Sequence, residues 1–347
     1  MKSAKLPITM SPPIRVYQYR AYPLSVTANY PETLAWFHSN FIHLKCNLNF
    51  GEMQDLNIDF IAGNIYGGIP WLEYVDCDFN RGGEADEHEI CGKIISSIDE
   101  GYYYYTFVDE FYIPNRVAYQ RFNNNHDLFI FGYDLVRSRF HIAGFDEKMN
   151  YVESDIGFDD FVCASKNCNI HSSNLIRMKQ NQDYSFDKNK VIAKFEDYLH
   201  ARNCAGRLSD YDFNHETEHM DHLNQHLMTE DWGFGMDIYE QISLYCGMLP
   251  QKRVKLDIRP FHCLWEHKKC MLERLKYFHE NRLINDSGLI DTCQEIMVQA
   301  DNIRLSVLKY TLTNNEDILT RINVKIHEIH SKELGLLPKI IHQLKTS

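Results

Sequence analysis

Near residue 185 the spacing of apolar residues changes, and that change limits what the chain can fold into. Before it lie short β-rich runs separated by Asn, Gly, Asp and Pro: Tyr102–Val108, Asp127–Tyr133 and Arg139–Ala143. After it the helical period takes over, in Lys188–His200, Pro260–Phe278, Leu289–Leu312 and Glu316–Leu344. A chain of 347 residues is also longer than one average core absorbs. Together these features predict an α+β protein of two domains, a sheet domain over 1–185 and an α-helical bundle over 186–347. The polar stretch Arg207–Asn214 is the linker candidate.

The first two β-rich runs are apolar or aromatic almost throughout, as central strands covered on both faces are. The third follows the second after a turn near Leu135–Ser138, so the runs read as neighbouring strands. Two helices are expected beside them: Pro31–Leu44, with Leu34, Phe37, Phe41 and Leu44 at helical spacing, and Glu84–Ile98. In the second half, Leu305, Val307, Leu308 and Leu312 outline a face expected to be buried, as do Ile318, Ile322, Ile326 and Ile329.

Charge narrows the function. Forty-eight acidic against 36 basic side chains give −12, which argues against a nucleic-acid binder, because tracking phosphates needs a basic face. By the same balance an acidic partner is not expected. No run of about 18 apolar residues is present, so no membrane association is expected and the protein reads as cytoplasmic. The ten cysteines show no framework spacing and no C-x-x-C pair, and read as reduced, mostly buried thiols. Neither G-x-x-x-x-G-K-[ST] nor G-x-G-x-x-G occurs, and no cofactor is called for.

The segment Val108–Asp146 is the most informative chemically. It places His126 at the mouth of an apolar strand and Asp146 just past the end of the next one. In an antiparallel pair the end of the second strand lies beside the start of the first, so imidazole and carboxylate can meet. A carboxylate behind an imidazole fixes its tautomer and stabilises its charged form, as a base serving a nucleophile requires. Asp109 and Asp134 are the other carboxylates that could stand there. The structural alternative is that His126 caps a strand and Asp146 closes a turn.

The stretch H-D-L-F-I-F-G-Y-D with its downstream G-F-D, preceded by V-D-E-F-Y-I-P-N, resembles the N-terminal domain family of the butirosin biosynthesis acyltransferase. That family has the papain-like cysteine-protease fold and includes amide-forming relatives of thiotemplate pathways. The resemblance covers about residues 20–165. The later L-D-I-R-P-F-H-C-L-W-E-H-K-K-C-M is similar to the helical portion of bacterial proteins carrying this domain. That later likeness names no activity; the resemblance over 20–165 implies acyl transfer, amide formation or hydrolysis on an acyl or peptidyl thioester, with His126 as base and Asp146 as its orienter. The implied partners are a carrier protein or synthetase and a small acyl or amine substrate. The family's nucleophile is a Cys opening the first long helix, whereas Ala21–Asn29 here holds Ser25 and Thr27 and no Cys. Cys46 is the nearest thiol and the nucleophile candidate, at the C-terminal end of the expected helix. Cys77 sits between two aspartates, an unfavourable place for a thiolate. The alternative expectation is an inactive papain-like scaffold that binds a carrier protein or synthetase.

Two further patterns remain. His215–His219 reads H-E-T-E-H, in which His215 and His219 could hold zinc, Glu216 could act on a bound water and Glu240 lies where a third ligand could come from. The same residues, with His222 and His226, also form a polar helical stripe of the kind a solvated surface has. Cys263, His267 and Cys270 face one way on a helix, and their flanks Phe261, Leu264 and Met271 favour packing over metal binding.

Overall fold

The computed structural model describes residues 2–61, 68–77, 79, 87–204 and 229–347. Along the chain come β1 (Ser3–Lys5), α1 (Gln18–Thr27), α2 (Leu34–Ser39), β2 (Leu44–Asn47), α3 (Phe50–Met53), β3 (Ile58–Phe60), β4 (Leu72–Asp76) and α4 (Glu87–Asp99). Next are β5 (Tyr103–Asp109), β6 (Asn125–Asp134), β7 (Arg139–Phe145), β8 (Tyr151–Gly157), α5 (Phe158–Lys166), β9 (Ser173–Met178) and α6 (Lys188–Leu199). The rest are β10 (Trp232–Phe234), α7 (Ile238–Met248), α8 (Arg259–Glu280), α9 (Gly288–Thr313) and α10 (Asp317–Thr346).

The chain is α+β and forms two compact units, Met1–Leu34 with Ile65–Asp183, and Ala35–Asn64 with Tyr184–Ser347. The division differs from a single cut at 185, because residues 35–64 join the helical unit. The linker candidate 207–214 lies outside the described residues.

In the first unit an antiparallel sheet runs β4-β9-β5-β6-β7-β8, with β1 added to β6. Alternation along β5 and β6 explains their unbroken apolar sequences. Tyr104, Leu128 and Ile130 pack in a core with Ile94 of α4 and Phe161 of α5. The neighbouring positions turn to the other face, where Tyr22 of α1 stacks on Phe129 at 5.0 Å and Tyr103 stacks on the same ring at 5.3 Å. Tyr103, Tyr104 and Tyr105 are all buried, so this aromatic run fills a core and does not line a cleft.

The second unit carries a small antiparallel sheet, β10-β2-β3, beside α6 to α10. The helix expected over Pro31–Leu44 stops at Ser39, and Phe41 takes a left-handed φ of 54°. A buried cation caps that end. Arg274 of α8 donates Nε to the His38 carbonyl at 2.8 Å and Nη2 to those of Asn40 at 2.5 Å and Phe41 at 3.2 Å. Tertiary capping of the last carbonyls therefore overrides the helical spacing, and the chain continues as strand β2, which carries Cys46.

Candidate functional site: a histidine and carboxylate cluster in the sheet unit

His126 lies second in β6, opposite Val108 of β5. Its Nδ1 stands 2.7 Å from Asp127 Oδ1, and Glu110 Oε1 lies beyond at 3.9 Å. Burial works against the imidazolium, but the hydrogen bond and charge of Asp127, with Glu110 behind, outweigh it and raise the His126 pKa above its ordinary 6.5. The side chain is 43% exposed, and among the described residues nothing bonds Nε2. An imidazole with one nitrogen held by a carboxylate and the other open has the geometry of a general acid or base.

Gln18, the first residue of α1, completes the cluster. The Phe145 N–H donates to its Oε1 at 2.9 Å, which turns Nε2 inward. That nitrogen lies 3.0 Å from Asp127 Oδ1, 3.2 Å from the Asp127 carbonyl and 2.8 Å from His126 Nδ1. The two contacts at Nδ1 compete. Protonated Nδ1 donates to Asp127, whereas bare Nδ1 accepts from Gln18 and moves the neutral ring's proton to Nε2. Gln18 therefore biases the ring away from the tautomer that a base needs.

Arg116 anchors the floor. It donates to the carbonyls of Phe145 at 2.5 Å and Ala143 at 3.2 Å, with Nε 4.0 Å from Glu110. Gly144 makes this approach possible. A Cβ there would sit 2.6 Å from Arg116 Nη2 and 2.8 Å from Gln18 Oε1, at a φ of 151°.

Of the three residues expected to form the catalytic set, neither Cys46 nor Asp146 is among the partners of His126. Cys46 belongs to the second unit, is fully buried, and has its thiol pushed up to about 12 by that burial. A nucleophilic thiol needs the opposite shift, so this burial works against the role expected of Cys46. Asp146 accepts from the Lys148 and Asn150 N–H groups at 2.9 and 2.8 Å, and those turn bonds, Asn150 first, hold its carboxyl below the usual range. It closes the β7–β8 turn. Asp109 likewise receives the N–H groups of Phe111 and Asn124, and Asp134 those of Val136 and Arg137. The carboxylate behind His126 is Asp127, which strand alternation alone would send to the opposite face. Among the described residues no Cys, Ser or Thr side chain bonds His126.

For metals, His215, Glu216 and His219 lie outside the described residues, and Glu240 is exposed in the first turn of α7. Cys263, His267 and Cys270 are buried; His267 donates Nε2–H to the Ile42 carbonyl at 2.8 Å. A mixed group in the first unit does gather ligand atoms within 4.8 Å of one another: His141, Glu153 and Asp155. It is already balanced, since His141 Nδ1 meets Asp155 at 2.6 Å and the Lys5 ammonium sits on Glu153. Period-two spacing across β7 and β8 was the signal for this group.

No protein-family model matches the chain, and no curated protein matches it significantly. Among the described residues no helix is long and apolar enough to cross a membrane.

Proposed function

We propose that the first unit is a papain-like domain that acts on an acyl or peptidyl thioester of a thiotemplate pathway through general-base chemistry, without a protein thiol. The observation that carries this reading is the His126 ring, tied to Asp127 at Nδ1 and open at Nε2. The β6 and β7 motifs that resemble the butirosin acyltransferase family supply the substrate class. In the step envisaged, an acceptor amine or water approaches the thioester carbonyl and passes its proton to Nε2 as the new bond to carbon forms. The C–S bond then breaks, and the leaving thiolate takes the proton back from the imidazolium. Asp127 orients the ring and stabilises its charge, and Gln18 selects between its tautomers.

A second reading rests on Gln18 itself, which presents an amide where a helix-start thiol would serve a papain-like enzyme. On that reading the domain is a scaffold that binds a carrier protein or synthetase. Thiol release from an acyl N-acetylcysteamine thioester, with and without an added amine, separates the two. Release by the full chain that is lost in His126→Ala, with no acyl-protein seen by intact mass, supports general-base chemistry. An acyl adduct on a cysteine, or no release above buffer, overturns it, the latter in favour of the scaffold.

A further inference from the structure

The α9 face expected to be buried is open in three of its four positions. Val307 is in the core, but Leu305, Leu308 and Leu312 are 48%, 36% and 84% exposed, and Val298 is 46% exposed. Val298, Leu305 and Leu312 recur every seven residues and Leu308 follows Leu305 by three, the seam pattern by which one helix receives another. Lys309 lies along the same stripe and leads into a groove of about 340 Å³ between α9 and α10, lined also by Ile318, Arg321, Val324, Lys325 and Glu328. Three cations thus meet one carboxylate. Among the described residues Lys309 and Lys325 have no ion-pair partner, and Arg321 donates only to the Asp317 carbonyl of its own helix. In a chain of net charge −12, the residues lining this groove carry a net positive charge.

We propose that the α9 seam and its basic groove are a docking surface for an acidic amphipathic helix of a partner protein. The partner's apolar stripe covers Leu305, Leu308 and Leu312, and its flanking carboxylates meet Lys309, Arg321 and Lys325. The whole-chain charge argues against an acidic partner, but at short range the local charges decide, because distant ones are screened.

The test uses the full chain and two synthetic three-heptad peptides with Leu at the seam positions, one flanked by Glu and the other by Lys. Fluorescence anisotropy should show the Glu peptide binding at least about tenfold more tightly, with the preference shrinking as salt rises. Lys309→Glu with Lys325→Glu should invert the preference, and Leu305→Asp with Leu312→Asp should abolish binding while thermal unfolding stays unchanged. Equal binding of the two peptides, or binding of neither, overturns the proposal. So does a concentration-dependent dimer in sedimentation that Leu305→Asp with Leu312→Asp disperses, since the seam would then belong to a second copy of this chain.

Discussion

Two polar clusters that contain a histidine, one in each unit, differ in what reaches solvent. In the helical unit, Lys268 lies 2.9 and 2.8 Å from Oε1 and Oε2 of Glu333, and Oε2 also accepts the hydroxyls of Tyr198 at 3.0 Å and Tyr239 at 2.6 Å. Lys268 further donates to the Tyr198 oxygen at 2.8 Å and to His267 Nδ1 at 3.1 Å. Burial keeps His267 neutral, raises the pKa values of both tyrosines and lowers that of Lys268 against the pull of Glu333. In the sheet unit the His126 ring has a nitrogen left open and two partners competing for the other. A closed network specifies packing; an open one with an undecided proton is suited to exchange protons with something that arrives.

The largest contrast should appear in thiol chemistry. With its thiol at about 12 and no exposure, Cys46 should react with iodoacetamide at least about a thousandfold more slowly than exposed Cys163. Peptide mass mapping of the native protein checks this, and fast labelling of Cys46 would restore it as a nucleophile. Next, Lys268→Met should cost roughly 3–5 kcal/mol by leaving the Glu333 carboxylate buried and unpaired. Denaturant unfolding reads the loss, and Lys268→Met with Glu333→Leu should recover much of it. His126→Ala should move the same midpoint little, which is the contrast between the clusters.

Smaller still, Gly144→Ala should destabilise by about 1–3 kcal/mol, since its Cβ meets the Arg116 guanidinium at a backbone angle that side chains avoid. It should also disturb the His126 resonances in NMR. Finally, Asp127→Asn should lower the His126 pKa. Because Asp127 and Glu110 raise it in the folded protein, the stability His126 contributes is full below pH 6.5 and fades as pH rises through the folded value. Asp127→Asn should shift that fade downward, and an unchanged titration would remove Asp127 from the site.

The sequence revealed elements whose environment is simple and missed those set by distant contacts. β5, β6 and β7 were legible because covered strands are apolar on both sides, and α8 to α10 because long helices keep their period. His126 was legible for its place at a strand mouth. Asp127 was hidden by alternation, and Gln18 by a helix that begins without a capping side chain, after Tyr17. Arg116 lies in an irregular loop, where spacing carries no signal. The seam on α9 was read as buried because periodicity identifies a face without saying what covers it.

The discontinuity of the helical unit has a consequence for how the protein is born. Residues 35–64 leave the ribosome before the roughly 120 residues of the sheet unit that follow, and well before α6 or α8 exists to receive them. At ~5–20 residues per second they wait about 6–24 s, with Trp36, Phe37, Phe41 and Phe60 among the side chains that will be buried only later. Any truncation near residue 185 makes that wait permanent. A fragment ending there should leave those four rings without the cover they have in the full chain, and a lower solubility than that of the full chain would show it.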